Sequence, residues 1–79
     1  MKGIDVIYNK HILTLTRFWG DNRLCLFAKK PSQIHIPKME FVGGYPNEWC
    51  IFIENLTEDE KAEITDLNGR HINLQEIGI

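Results

Sequence analysis

Histidine and cysteine have the widest chemical range of any side chains in this chain, and metal binding is the first chemistry to consider for them. The sequence has three histidines and two cysteines, namely His11, His35, His71, Cys25 and Cys50. Metal sites usually show spacings such as Cys-x-x-Cys or His-x-x-x-His, which bring two ligands together locally. None of the five residues stands at such a spacing, so we expect neither a metal site nor a cofactor.

The two cysteines also have to be considered as nucleophiles. A catalytic thiol needs a lowered pKa and access to its substrate. Cys25 and Cys50 instead lie within the apolar runs 24–27 and 49–52, where cysteine behaves as a small hydrophobic residue. We therefore predict reduced, buried thiols. A disulfide between them remains an alternative if the two segments are neighbouring strands.

The remaining catalytic motifs are weak. Glu58, Asp59 and Glu60 are consecutive and precede Lys61. Acid catalysis needs one carboxyl group that is desolvated, whereas this run is typical of a solvated turn. The pair Gly43-Gly44 is too short for a phosphate-binding loop, and no Gly-Lys-Ser/Thr motif follows it. We predict no catalytic residues and a protein that is not an enzyme.

Charge is distributed unevenly along the chain. Residues 1–38 carry seven lysines and arginines against two acids, and residues 39–79 carry two against nine. The net charges of these halves are therefore +5 and −7. Such asymmetry is one sign of a charged partner. The alternative is that the two halves interleave in one sheet and their charges pair across strands.

A protein partner is the function that these features favour. We predict a small protein-binding module, such as an inhibitor or modulator that occupies a functional surface of a larger partner. Its acidic residues would face a basic surface, because complementary charge speeds association, and aromatic residues are enriched in binding hot spots. The predicted contact residues are Tyr45, Trp49, Glu58, Asp59, Glu60, Glu63 and Asp66. A homodimer is also compatible with the sequence.

Nucleic-acid binding is the alternative function. Basic and aromatic residues alternate in the first half, as they do where small barrels hold single strands. The residues concerned are Arg17, Trp19, Arg23, Lys29 and Lys30. The acidic isoelectric point of about 5.8 opposes this reading, since dedicated nucleic-acid binders are usually basic.

These residues would be positioned mainly by β-strands. Alternating branched and aromatic residues predict strands, and the turn residues 20–22 predict a hairpin between the second and third. The strand at 48–54 is apolar on both faces, which indicates an interior position. The predicted strands are 3–8, 11–19, 23–29, 33–36 with an edge extension over 38–42, and 48–54.

The last third of the chain gives a mixed signal. Thr57 and Glu60 have the spacing of a capping box, which predicts a short helical turn near 57–61. Asn68-Gly69 is a common type I′ hairpin dipeptide, so we predict a hairpin of strands 62–67 and 70–75. The alternative is a helix that continues to Leu67, with Gly69 as its C-cap.

The length and the strand count together define the fold class. With 79 residues, the chain is predicted to form a single small β-rich domain over 1–79. Five to six short strands favour a bent antiparallel sheet or a small barrel of the SH3-like or OB-like kind. No stretch approaches the roughly 20 apolar residues of a membrane span. The first residues do not have the pattern of a signal peptide, so we expect a cytoplasmic location without membrane contact.

Overall fold

A computed structural model describes residues 3–18, 20, 22–28, 36–43 and 48–75. These residues form one open antiparallel sheet of five strands, a 3-10 turn and a short helix. The strands are β1 (Gly3–Tyr8), β2 (His11–Arg17), β3 (Leu24–Ala28), β4 (Glu40–Gly43) and β5 (Glu48–Phe52). Their order across the sheet is β1-β2-β3-β5-β4. The fold class is therefore mainly β, as predicted, and the sheet is open rather than closed into a barrel.

Tight turns explain the antiparallel order. Asn9 and Lys10 both have positive φ angles, of 52° and 68°, which is the geometry of a two-residue type I′ loop between β1 and β2. The predicted hairpin of β2 and β3 is confirmed, with Thr16 opposite Cys25. β5 lies between β3 and β4, so the predicted interior strand is confirmed as well. The predicted edge extension near 38–42 corresponds to β4.

The sheet has apolar side chains on both faces. The larger cluster is centred on a cross-strand row of Leu15, Leu26 and Ile51, each opposite the next on β2, β3 and β5. The 3-10 turn (Ile53–Asn55) and the segment after it cover this face with Ile53, Leu56 and Ile64. We call it the covered face. The smaller cluster, on what we call the second face, contains Cys25, Cys50 and Phe52.

The last third differs from the predicted hairpin. The helix α1 spans Glu58–Ala62 and begins at the expected capping box of Thr57 and Glu60. Neither strand of the predicted hairpin 62–67 and 70–75 forms. Thr65 makes only isolated bridges to Ile7 and His71. The prediction of a longer helix to Leu67 is also wrong, because α1 ends at Ala62.

The chain still reverses at Asn68-Gly69, with the Asp66 N–H donating to the Arg70 carbonyl at 2.9 Å, but through a turn of a different type from the predicted one. Gly69 alone has the left-handed φ, of 82°, and its N–H donates to the carbonyl of Asp66 at 3.0 Å. This is a type I turn followed by a left-handed glycine, and not the type I′ turn that Asn68-Gly69 predicts. The Asp66 carboxylate then accepts from the backbone N–H groups of Asn68 and Arg70 at 2.8 and 2.9 Å. Side-chain bonds of this kind compete with strand pairing.

Other predictions fall outside the described residues or on their margin. Of the predicted strand at 33–36, only Ile36 is described, and it is buried outside the five strands.

No helix among the described residues has the length and apolar character needed to cross a bilayer.

Candidate functional site

Some of the acidic side chains of α1 are bound by other groups of the protein. The Glu60 carboxylate accepts from the Thr57 backbone N–H at 2.9 Å and from Lys38 Nζ. Its pKa is lowered by the hydrogen bond from Lys38 and then by that from Thr57. A carboxyl group with a lowered pKa stabilises the fold above its ordinary pKa, and this contribution is lost as the pH falls through the lowered value. Glu60 therefore anchors α1 to the segment before β4 and is not a free contact residue.

Two further acids in the predicted contact set are similarly engaged. Asp66 holds the turn described above. Glu58 pairs with Lys61 one helical turn later at 3.3 Å, although its own side chain is 91% exposed. Asp59 and Glu63 are exposed. Within the described part of the chain, neither carboxylate takes part in an ion pair or a side-chain hydrogen bond.

The charge asymmetry is partly explained by pairing between the halves. Lys38 pairs with Glu60, and Arg23 pairs with Glu54 at 2.6 Å. Each pair joins a base of the first half to an acid of the second. The acids of the second half that form neither an ion pair nor a side-chain hydrogen bond among the described residues are Glu40, Glu48, Asp59 and Glu63. Two of these four lie on β4 and β5.

β4 carries the most exposed aromatic side chain of the described residues. Phe41 is 56% exposed, and its ring lies beside that of Trp49, with centroids 5.3 Å apart and planes at 59°. Trp49 is half-buried and packs against the larger cluster. One side of the Phe41 ring therefore rests on a side chain that is itself held by the core. The predicted anchor Trp49 thus lies on β5, next to the edge strand β4, whereas Tyr45 lies outside the described residues.

Phe41 and Glu40 were missed in the selection of site residues from sequence. The sequence does contain an indication of this surface, because the short segment between Pro37 and Gly43 is predicted to be an edge strand. A large aromatic residue on a short edge strand cannot be buried on both sides, because only one neighbouring strand pairs with it. The edge position thus favours Phe41 over Tyr45 as the aromatic contact residue.

Lys38 connects β4 to α1. Met39 N–H donates to the Ile36 carbonyl at 3.4 Å, and Lys38 has a φ of 69°. Pro37 and Lys38 thus occupy the two central positions of a turn with the sequence preference of type II. Lys38 reaches Glu60 from this turn, and Phe41 is only three residues farther on, within roughly 11 Å along an extended chain. The bond between Lys38 and Glu60 therefore links the turn before β4 to α1.

The residues of the nucleic-acid alternative are dispersed. Arg17 is opposite Leu24 on β3, so it and Arg23 project to opposite faces of the sheet. Arg17 donates to the Asn22 carbonyl at 3.0 Å. Arg23 pairs with Glu54 and lies 3.8 Å above the centre of the Phe52 ring. Trp19, Lys29 and Lys30 lie outside the described residues.

The two cysteines are buried as free thiols on neighbouring strands. Cys25 is opposite Phe52, and Cys50 is opposite Phe27, so the thiols are diagonal neighbours on the second face. The pKa of Cys50 is strongly raised by its hydrogen bond to Cys25 and then by burial. This environment disfavours the thiolate that nucleophilic chemistry and metal binding both require.

The described residues contain no cluster of potential metal ligands, and a surface groove lies beside α1. No three His, Cys, Asp or Glu side chains among them gather closely enough to hold a metal ion, and His35 lies outside them. A surface groove of about 400 Å³ runs between α1 and residues 71–75. Lys61 lines this groove, but it is paired with Glu58, and this charged pair is a surface contact.

Comparison with known proteins finds no matching family model, no matching curated protein and no matching solved structure.

Proposed function

We propose that this protein is a small non-enzymatic protein-binding module, such as an inhibitor or modulator that occupies a functional surface of a larger partner. The observation that carries the proposal is the exposure of Phe41 beside Trp49 on the outermost strand. Exposing over half of a phenylalanine leaves apolar area in water that contact with a partner would bury, at roughly 25 cal/mol per Å². Aromatic residues with supporting neighbours are typical binding hot spots.

Charge supports binding at the same edge of the sheet. Glu40 and Glu48 lie next to the aromatic pair in sequence, and Asp59 and Glu63 lie on or just after α1, which Lys38 holds near β4. These four acids have no ion-pair partner among the described residues. The acidic contact that we propose therefore differs from the predicted one. Glu58, Glu60 and Asp66 are engaged within the fold and leave it. Asp59 and Glu63 remain, and Glu40 and Glu48 are added.

Nucleic-acid binding has less support. Its two described arginines, Arg17 and Arg23, are engaged by protein groups and point to opposite faces. The exposed aromatic pair is accompanied by carboxylates, which repel phosphate. We do not propose it as a second function.

The proposal predicts that partner capture depends on Phe41. We expect Phe41→Ser, on protein immobilised and exposed to an extract of its native cells, to reduce recovery of the partner about 30-fold, as the loss of a 2 kcal/mol hot spot does. The matched control is Ile12→Ser, because Ile12 is 61% exposed on β2 and lies away from β4. Recovery is measured by quantitative mass spectrometry.

The outcome that contradicts the proposal is the same recovery with both variants as with the wild type. Far-ultraviolet circular dichroism of each variant establishes that the sheet is intact before recoveries are compared.

A further inference from the structure

The two edge strands of the sheet, β1 and β4, differ in whether other described parts of the chain bond to their outer sides. The outer edge of β1 is bridged at Ile7 by the chain itself, since the Ile7 N–H donates to the Thr65 carbonyl at 2.8 Å and the Thr65 N–H donates back to the Ile7 carbonyl at 3.1 Å. β4 is the last strand at the other edge. No described residue donates to or accepts from its outer side. Unpaired backbone groups on an edge strand are a template for an added strand.

The side chains of β4 project alternately to the two faces of the sheet. Phe41 is opposite Trp49 and so lies on the covered face, while Glu40 is opposite Cys50 and lies on the second face. Glu48 of β5 is opposite Gly43. A Cβ at Gly43 would meet nothing within 4 Å, so Glu48 is not screened from the edge by a neighbouring side chain there. The edge thus presents the Phe41 ring on the covered face, and Glu40 and Glu48 together with the partly buried Val42 on the second face.

Charge distinguishes between the strands that could pair with this edge. Residues 39–60 contain six acids and no lysine, arginine or histidine. A second copy of β4 would bring Glu40 close to the same carboxylates of its partner, and like charges on paired strands are destabilising. The phosphates of a nucleic acid would be repelled as well. A basic strand is the occupant that this edge attracts.

We infer that β4 takes up, as an added strand, an extended segment of the partner in which an apolar residue is flanked by lysine or arginine. This inference rests on the proposed function and names the chemistry of its partner. Adjacent residues of a strand point to opposite faces. The apolar side chain would therefore pack on Phe41, while its basic neighbours face Glu40 and Glu48.

The geometry of β4 also limits the length and strength of the pairing. The strand has four residues, and a bulge lies between Phe41 and Gly43. Bulges interrupt a ladder and protect edges from extended pairing. The added strand would thus pair over Glu40–Val42, with cross-strand contacts that contribute roughly 0.2–1 kcal/mol each. A short peptide should consequently bind weakly, with a Kd on the order of 1 mM.

A peptide titration followed by ¹H–¹⁵N NMR tests this inference on the full chain. The probe is acetyl-Lys-Val-Lys-Val-Lys-amide, and we expect the largest amide shifts at Glu40–Val42. Glu40→Gln should raise the Kd at least threefold. The control Asp5→Asn removes an equal charge from β1, at the opposite edge of the sheet, and should change the Kd less than twofold. The same peptide with N-methylated backbone nitrogens keeps the charges but cannot form the ladder, and should not bind.

Equal affinity for a Glu-Val-Glu-Val-Glu peptide or for the N-methylated peptide would overturn the inference. So would shifts centred outside β4, or no shifts up to 5 mM peptide. The proposed protein-binding function is tested separately, by the capture experiment with Phe41→Ser. If capture of the partner depends on Phe41 but the peptide fails, the binding module stands with a partner of different chemistry. If capture is independent of Phe41, the proposed function fails even when the peptide binds.

Discussion

Native protein at pH 7 is expected to react with Ellman's reagent about a thousandfold more slowly than the chain unfolded in urea. Cys25 and Cys50 are both 0% exposed, so the reagent reaches them only when the domain opens. A stability of about 4 kcal/mol, from 0.05 kcal/mol per residue, leaves roughly one molecule in a thousand open. The measurement is the initial rate of absorbance increase with and without urea. Labelling of the native protein at the unfolded rate would contradict the burial of the thiols.

Alkaline pH should destabilise the protein through the same pair. The pKa of Cys50 is raised above its ordinary value of 9.0, first by its hydrogen bond to Cys25 and then by burial. The stabilisation is therefore complete below pH 9 and decreases above it, by up to about 1.4 kcal/mol per pH unit, because the unfolded thiol ionises first. Urea midpoints measured from pH 7 to pH 10.5 should fall.

The matched variant for this titration is Cys50→Ala, whose midpoint should fall less steeply over the same range. Tyr8 also has a raised pKa, chiefly from burial, but it remains in both proteins and so cancels in the comparison. Parallel curves would show that Cys50 ionises equally in the folded and unfolded states.

Replacement of Leu26 by alanine should remove about 3 kcal/mol of the free energy of unfolding, in line with other buried leucines. Leu26 is 0% exposed and lies on β3 between Leu15 and Ile51. A domain of this size has a stability of roughly 4–12 kcal/mol, so the loss is a large part of the total. The melting temperature should fall by roughly 10–25 °C.

Ile12→Ala provides the control for this substitution. Ile12 is 61% exposed, and truncating it should cost less than about 0.5 kcal/mol, as for most surface substitutions. Urea unfolding monitored by circular dichroism gives both values. Equal losses in the two variants would contradict the assignment of the cross-strand row as the centre of the core.

The strands that could be predicted from sequence share a clear local pattern. β2 and β3 alternate in period two on either side of a loop with turn residues, and β5 has the continuous apolar run of a strand covered on both faces. The start of α1 could be predicted because the partners of its capping box, Thr57 and Glu60, are only three residues apart. In each of these cases, the deciding interactions are local or follow directly from burial.

The segment after α1 could not be predicted because its conformation is set by contacts that are remote in sequence. Thr65 bonds to Ile7, which is 58 positions earlier, and this contact places the segment along β1. The Asp66 carboxylate then fixes the turn. An Asn-Gly dipeptide predicts a turn but does not specify its type when an aspartate two residues earlier can bond the same backbone groups.

The binding surface was only partly predictable for a related reason. An acidic run in sequence does not show which carboxylates are engaged, and the partner of Glu60, Lys38, is 22 positions away. The exposure of Phe41 depends on the position of β4 at the sheet edge, which follows from a strand order that places β5 between β3 and β4. Neither the pairing of Glu60 nor the exposure of Phe41 can be predicted from the local sequence.

Hydrogen–deuterium exchange of the purified protein, alone and bound to the partner that it captures, tests the central claim most directly. If binding occurs at the edge formed by β4, amide exchange at Glu40–Val42 should slow at least tenfold in the complex. Exchange in the β2–β3 hairpin near Arg17 and Arg23 should stay unchanged. Unchanged exchange in β4, together with protection confined to that hairpin or to the groove beside α1, would contradict the account.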